Sequence, residues 1–279
     1  MSATAGDKAV EYLRAELANA TPTMRRQIVE KFVLAALGAI PWIGGFLSAA
    51  ASIKTEQGAQ QADSLQTKWL EEHTKKIEDL QATLTQIFAR FEAFGGDVEE
   101  RIQSESYLKL VRRAFRSWDR ADTNAKRKYI GHLITNAAGT RECPDDIIRM
   151  FIDWIDLYHE AHFSIVHQVY QSQEEGITKY DIWNNIYGAV PREDSAEAGL
   201  FRLLYRDLNQ GGLVHQQREV DDQGSYLRKA RSQQRGRTAS KTMESSFDDI
   251  KVHVLTPLGK QFVHYAMTDS VRRVAATNR

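Results

Sequence analysis

Cysteine is nearly absent: Cys143 stands alone among 279 residues, which excludes an intramolecular disulfide. Neither charge dominates, because 37 lysines and arginines meet 37 aspartates and glutamates, so any attraction to nucleic acid or anionic lipid has to come from local patches. The chain does not open with a charged stretch, a short apolar core and a cleavage site, and its long apolar run comes only after Glu11, Glu16 and Glu30. A reducing cytoplasm is therefore the expected compartment.

Catalytic signatures are missing as well. GAIPWIGG has neither the lysine of a P-loop nor the strand that precedes a dinucleotide fingerprint, and HEAH from His159 is not the HExxH of a metalloprotease. His159 and His162 share a helical face, a spacing that metal sites use, yet no carboxylate and third ligand follow at a recognised distance, and His167 adds none. A structural role for the three is the simpler reading. Cys143 precedes Pro144 with no nucleophile motif around it. The sequence is therefore read as non-enzymatic, with no catalytic residue, metal ligand or cofactor assigned.

What is present is a run without charge. Residues 32–53, FVLAALGAIPWIGGFLSAAASI, are broken in the middle by Pro41, Gly44 and Gly45. At about 1.5 Å per residue such a stretch just crosses a bilayer, or folds as two half-helices within it. Six alanines and three glycines make it less apolar than a plain spanning helix, so a buried helical hairpin in a bundle is the competing reading. Arg25, Arg26 and Lys31 before the run nearly balance Lys54 after it, and no sidedness follows.

Periodicity organises the rest of residues 1–157 as an all-α bundle. A short helix is expected over 7–20, and a second opens at Thr21-Pro22 and is expected to end at Pro41. Within the helix expected over 60–94, Ile77, Leu80, Leu84, Ile87, Phe91 and Phe94 repeat in steps of three and four, a coiled-coil-like seam suited to oligomerisation. Gly95-Gly96 ends it. Further helices carry Tyr107, Val111, Phe115 and Trp118, then Tyr129, Ile130, Leu133 and Ile134, then Ile147, Ile148, Phe151, Ile152 and Ile155, all expected in the core.

The pattern changes after Tyr158. Helices near 159–172, 178–187 and 194–209 lead to strand candidates at 213–218 and 251–255, separated by a long polar stretch. Thr178 with Asp181 reads as a capping box, and Gly211-Gly212 as a helix stop. The order helix, helix, helix, strand, wing, strand resembles a winged helix over 158–268, with a tail at 269–279. DLNQGGLV and LTPLGKQF are similar to the turn into the first wing strand and to the closing segment of that family.

Residues 223–243 hold no acid, while Arg228, Lys229, Arg231, Arg235, Arg237 and Lys241 lie among Ser, Gln and Gly. That is the composition of a flexible cationic arm suited to phosphates, on nucleic acid or on anionic lipid, or of a solvated loop. Direct reading of DNA by the third helix is disfavoured, because Glu193, Asp194 and Glu197 sit at its start, although Arg202 and Arg206 follow.

Taken together, LGAIPWIGGFLSAAAS, the long helix after it, RKYIGHLITNAAG at 127–139 and the winged segment resemble the Abi-alpha family, bacterial proteins linked to abortive phage infection. The resemblance implies an antiviral defence or toxin-like protein that acts on the cell's own membrane. The leading expectation is a cytoplasmic helical effector that keeps 32–53 packed until triggered, then oligomerises through the long helix and inserts into the inner membrane. Leu37, Ile40, Trp42, Ile43, Phe46 and Leu47 would insert, and Pro41, Gly44 and Gly45 would supply the bend. The alternative is a soluble oligomeric winged-helix protein that binds nucleic acid or a partner protein.

Overall fold

In a computed structural model, residues 26–43, 59–172, 175–217 and 245–268 are described. The fold is mainly α, with one small three-stranded antiparallel sheet. It divides into two compact units, one running to Leu157 and taking up the chain again from His264, the other spanning Tyr158–Val263.

Among the described residues, the first elements of this unit are helix α1, Arg26–Leu37, and the long α2, Ala59–Phe94. Short α3, Glu99–Gln103, precedes α4, Glu105–Arg120, α5, Asn124–Gly139, and α6, Asp145–Leu157. The helix starts are written locally: the Ser104 hydroxyl accepts from the Tyr107 N–H, and the Thr123 hydroxyl from that of Lys126. Apolar residues at three- and four-residue steps then fix which face turns inward. On α4 these are Tyr107, Leu110, Val111, Ala114, Phe115 and Trp118, all buried. Helix α1 lies on α4, α2 on α5, and α4 on both α5 and α6.

Helix α1 stops four residues before the expected Pro41. Gly38 still bonds back to the Leu34 carbonyl, but Ala39 and Ile40 donate only three residues back, to Ala36 and Leu37, so the last turn tightens and ends. Pro41 has no N–H to continue the ladder, and helical backbone resumes at 41–43 with the proline in the first turn. The helix expected over 7–20 lies outside the described residues.

The second unit contains α7, Glu160–Gln171, β1, Ile177–Thr178, α8, Lys179–Tyr187, α9, Ala196–Gln210, β2, Val214–Gln216, β3, Val252–Leu255, and α10, Pro257–Phe262. Strand β3 lies between the others, with Ile177 opposite His253 and Val214 opposite Leu255. This unit is a small α+β body, with its helices ahead of the β2–β3 pair in the order expected from the sequence. The two-residue β1 is absent from the sequence reading, which its length explains.

Two glycines carry the closure of this unit. Gly212 takes φ +76° and turns the chain from α9 into β2. Gly259 lies so close to the backbone of Leu213 that a Cβ there would come within 2.3 Å of its carbonyl oxygen. The unit closes at Val263, not at the expected 268. Tyr265 is buried in the first unit, where its ring meets Phe151, its carbonyl accepts from Asn136 and its hydroxyl bonds Thr140.

Candidate functional site

The apolar element is the candidate site with the strongest sequence signal, and one face of 32–40 forms core of the first unit. Phe32 is fully buried, with ring centroids 5.2 Å from Phe88, 5.6 Å from Phe91 and 6.2 Å from Phe115, each edge to face. Val33, Ala36, Leu37 and Ile40 are buried beside it. Pro41 is exposed, and Trp42 and Ile43 are half-buried. The residues expected to insert are thus split: Leu37 and Ile40 are deep in the core, whereas Pro41, Trp42 and Ile43 lie toward solvent. Gly44, Gly45, Phe46 and Leu47 lie outside the described residues. Among the described residues no helix is long and apolar enough to cross a membrane.

The tip of the described segment is tied down by a polar contact. Trp42 Nε1 donates to Asp119 Oδ1 at 2.6 Å, and Lys76 Nζ lies 3.5 Å from the same oxygen. The Asp119 side chain is 13% exposed, so its charge is held mostly by these two groups.

The oligomerisation seam has an intramolecular partner. Leu80, Leu84, Ile87 and Phe91 are buried within the unit, and Phe94 is half-buried with its ring against Gly139. The side chain of Ile77 is outside the described residues. A 3.5-residue repeat looks the same whether the facing helix belongs to the same chain or to a second copy. Here the seam faces the chain's own helices, so it is not a free surface for a partner protomer.

In the second unit, the outward face of α9 carries two leucines among polar and charged residues. Leu200 is 51% and Leu203 44% exposed, and Tyr180 and Tyr187 on α8 are exposed as well. The cations nearby are engaged: Arg202 Nη2 donates to Ser246 Oγ at 2.6 Å and lies 3.5 Å from Glu193, and Arg192 pairs with Asp194 at 2.8 Å. Arg206 lies 3.7 Å from Asp207. Glu193 in turn accepts from the Ser245 hydroxyl and the Ser246 N–H, and these hydrogen bonds hold its carboxyl below the ordinary range. The cationic residues Arg228, Lys229, Arg231, Arg235, Arg237 and Lys241 lie outside the described residues.

His162 and His253 have structural partners, whereas His167 is exposed. His162 Nδ1 accepts from the His159 N–H at 3.1 Å at the start of α7, its ring lies against Tyr158, and burial lowers its pKa. His253 is buried on β3 and bonds the Tyr205 hydroxyl, and burial lowers its pKa to about 4. Burial also raises the Cys143 thiol, the reverse of what an activated nucleophile requires. Among the described residues no group of three or more His, Cys, Asp or Glu gathers as a metal set.

A polar cleft between α2 and α5 was not foreseen from the sequence. It has a volume of about 170 Å³, and Arg90, Arg127, Lys128 and His132 converge on it. Its only sequence signal is helical: 124, 127, 128, 131, 132 and 135 share one face of α5.

No protein-family model, curated protein or solved structure matches this chain.

Proposed function

We propose that the chain is a non-enzymatic, membrane-acting effector of defence or toxin type whose apolar element is stored in the core of the helical unit. The observation that supports this most is the division of the uncharged run 32–53. Its first part packs around Phe32, and its tip is held by the hydrogen bond from Trp42 to Asp119. Burial at roughly 25 cal/mol per Å² favours any environment that removes such a segment from water, so core and bilayer compete for the same residues. A trigger then needs only a differential affinity for the packed and released states. Residence is cytoplasmic, with association with the inner membrane on release, and the released chains oligomerise before they insert.

The test is flotation with liposomes containing anionic lipid, at low and high salt, with dye release from the same vesicles. Salt-resistant flotation with leakage is expected, and Ile43→Glu abolishes both without unfolding the protein. Leakage retained by Ile43→Glu overturns the reading.

A second reading concerns the winged-helix unit, and the exposed Leu200 and Leu203 favour it. Exposed leucines whose neighbouring arginines are neutralised internally suit a protein partner better than a DNA groove, where cations meet phosphates. If α9 read DNA, Arg202→Ser with Arg206→Ser would weaken duplex binding and flatten its salt dependence. A protein-binding unit predicts no change in either.

A further inference from the structure

The chain re-enters the helical unit at His264, after the second unit has been completed. Val263–Met267 forms a single π-helical turn, a wide form that is rare and recurs at functional positions. His264 is exposed, while the next two residues, Tyr265 and Ala266, are buried.

Tyr265 fills a slot at the connection between α5 and α6. Its hydroxyl bonds Thr140, the residue that caps the end of α5, and accepts from the Cys143 N–H at 3.2 Å. Its carbonyl accepts from Asn136 Nδ2 at 2.9 Å, and its ring centre lies 6.3 Å from that of Phe151 on α6. One residue thus holds the last turn of α5, the connection after it and the middle of α6.

The last two turns of α5 also touch the residues that confine the apolar element. Gly139 lies against the ring of Phe94 at the end of α2, where a methyl would come within 2.8 Å of it. The Ile134 carbonyl accepts from the Tyr107 hydroxyl at 2.8 Å, and the Tyr107 ring lies 6.4 Å from Phe32. Phe88 and Phe91, on the same α2 as Phe94, meet Phe32 edge to face. A continuous series of packed pairs therefore runs from Tyr265 through α5 to Phe32.

The members of this series are not equally secure. Helices α5 and α6 bury residues along their whole length, whereas the returning turn contributes chiefly Tyr265 and Ala266 to the helical unit. Elements with few buried contacts open at the lowest free energy. Asn136 Oδ1 is buried without a hydrogen-bond partner among the described residues, so an opening that admits water relieves a cost of the closed form.

We infer that Tyr265 is a latch on the apolar store: its withdrawal frees the last turns of α5, and with them the Phe94 and Tyr107 contacts around Phe32. The control that this gives over a membrane-inserting element rests on the membrane-effector reading; the latch itself does not.

The test is native-state hydrogen exchange of the full chain, without vesicles, on the parent, Tyr265→Ala and Tyr265→Phe. Tyr265→Ala is expected to speed exchange at least about tenfold both in 134–140 and in 32–37, while 110–117 of α4 change by less than about twofold. Tyr265→Phe keeps the ring and loses the hydroxyl's bonds to Thr140 and Cys143, so it speeds the same two stretches by about twofold to tenfold, and it carries the test if Tyr265→Ala does not fold. Faster exchange confined to 134–157 would show a plug with no hold on the store, and an equal rise in 110–117 would show a general support of the unit; either result overturns the latch. Flotation is a separate readout: faster exchange in 32–37 with no gain in liposome binding upholds the latch and counts against the membrane reading.

Discussion

Trp42 and Asp119 lie 77 positions apart in the chain and are joined by a 2.6 Å hydrogen bond from indole to carboxylate. The bond links the end of the described apolar element to the last turn of α4, and Lys76 of α2 reaches the same oxygen. Three parts of the helical unit thus meet on one carboxylate.

Removing that carboxylate is expected to loosen the tip without dissolving the core. Hydrogen bonds to a charged group contribute about 1.5–3 kcal/mol, so Asp119→Ala lowers Tm by about 5 °C. The same variant binds liposomes more readily than the parent. A melt paired with flotation checks both, and unchanged liposome binding in a destabilised variant would separate the contact from any storage role.

The core itself is less forgiving. Phe32→Ala removes a ring that meets three others edge to face and is expected to cost about 3–5 kcal/mol. Denaturant unfolding monitored for the helical unit measures it. A loss below about 1 kcal/mol would show that Phe32 is not packed as described.

Much of this architecture is legible in the residues. The three-and-four spacing from Leu80 to Phe91 marks a helix with one apolar face, and Thr178, Gly211-Gly212 and the LTPLG segment mark the second unit's turns. What the spacing does not reveal is the facing surface, since the same repeat serves a bundle and a coiled coil. The contact between Trp42 and Asp119 has no local signal at all. Nor does Arg90 announce that it faces Lys128 across a cleft, because the meeting depends on how two helices cross. Gly131 marks that crossing: a methyl there would lie 3.5 Å from Thr83. Tyr265 lies in the first unit although its sequence neighbours belong to the second, because only its contacts with Thr140 and buried Asn136 show where it belongs.

Acid is expected to weaken the second unit through His253. Its folded pKa is about 4 against an ordinary 6.5, chiefly because burial opposes the charged form. Above pH 6.5 both states hold it neutral and stability does not depend on it. As pH falls from 6.5 to 4 the unfolded chain takes up the proton and the folded one does not, so stability is lost, by about 3 kcal/mol at most. Hydrogen exchange on β3 of the full chain across this range checks it, and His253→Gln is expected to flatten the profile.

Gly259→Ala tests the closure of the same unit. A Cβ 2.3 Å from the Leu213 carbonyl forces backbone apart and is expected to cost about 1–3 kcal/mol. Exchange rates in β2 and β3 rise while those of α4 and α5 are unchanged. A neutral substitution would mean that α10 and the α9–β2 turn are not in close contact.

The most direct measurement of the membrane reading is liposome flotation with dye release, run on the parent, Asp119→Ala and the Asp119→Ala, Ile43→Glu double variant. The expected result is salt-resistant flotation and leakage that Asp119→Ala increases and that the added Ile43→Glu removes. Absence of flotation in Asp119→Ala, or leakage that survives Ile43→Glu, would contradict storage of a membrane-inserting element in the helical core.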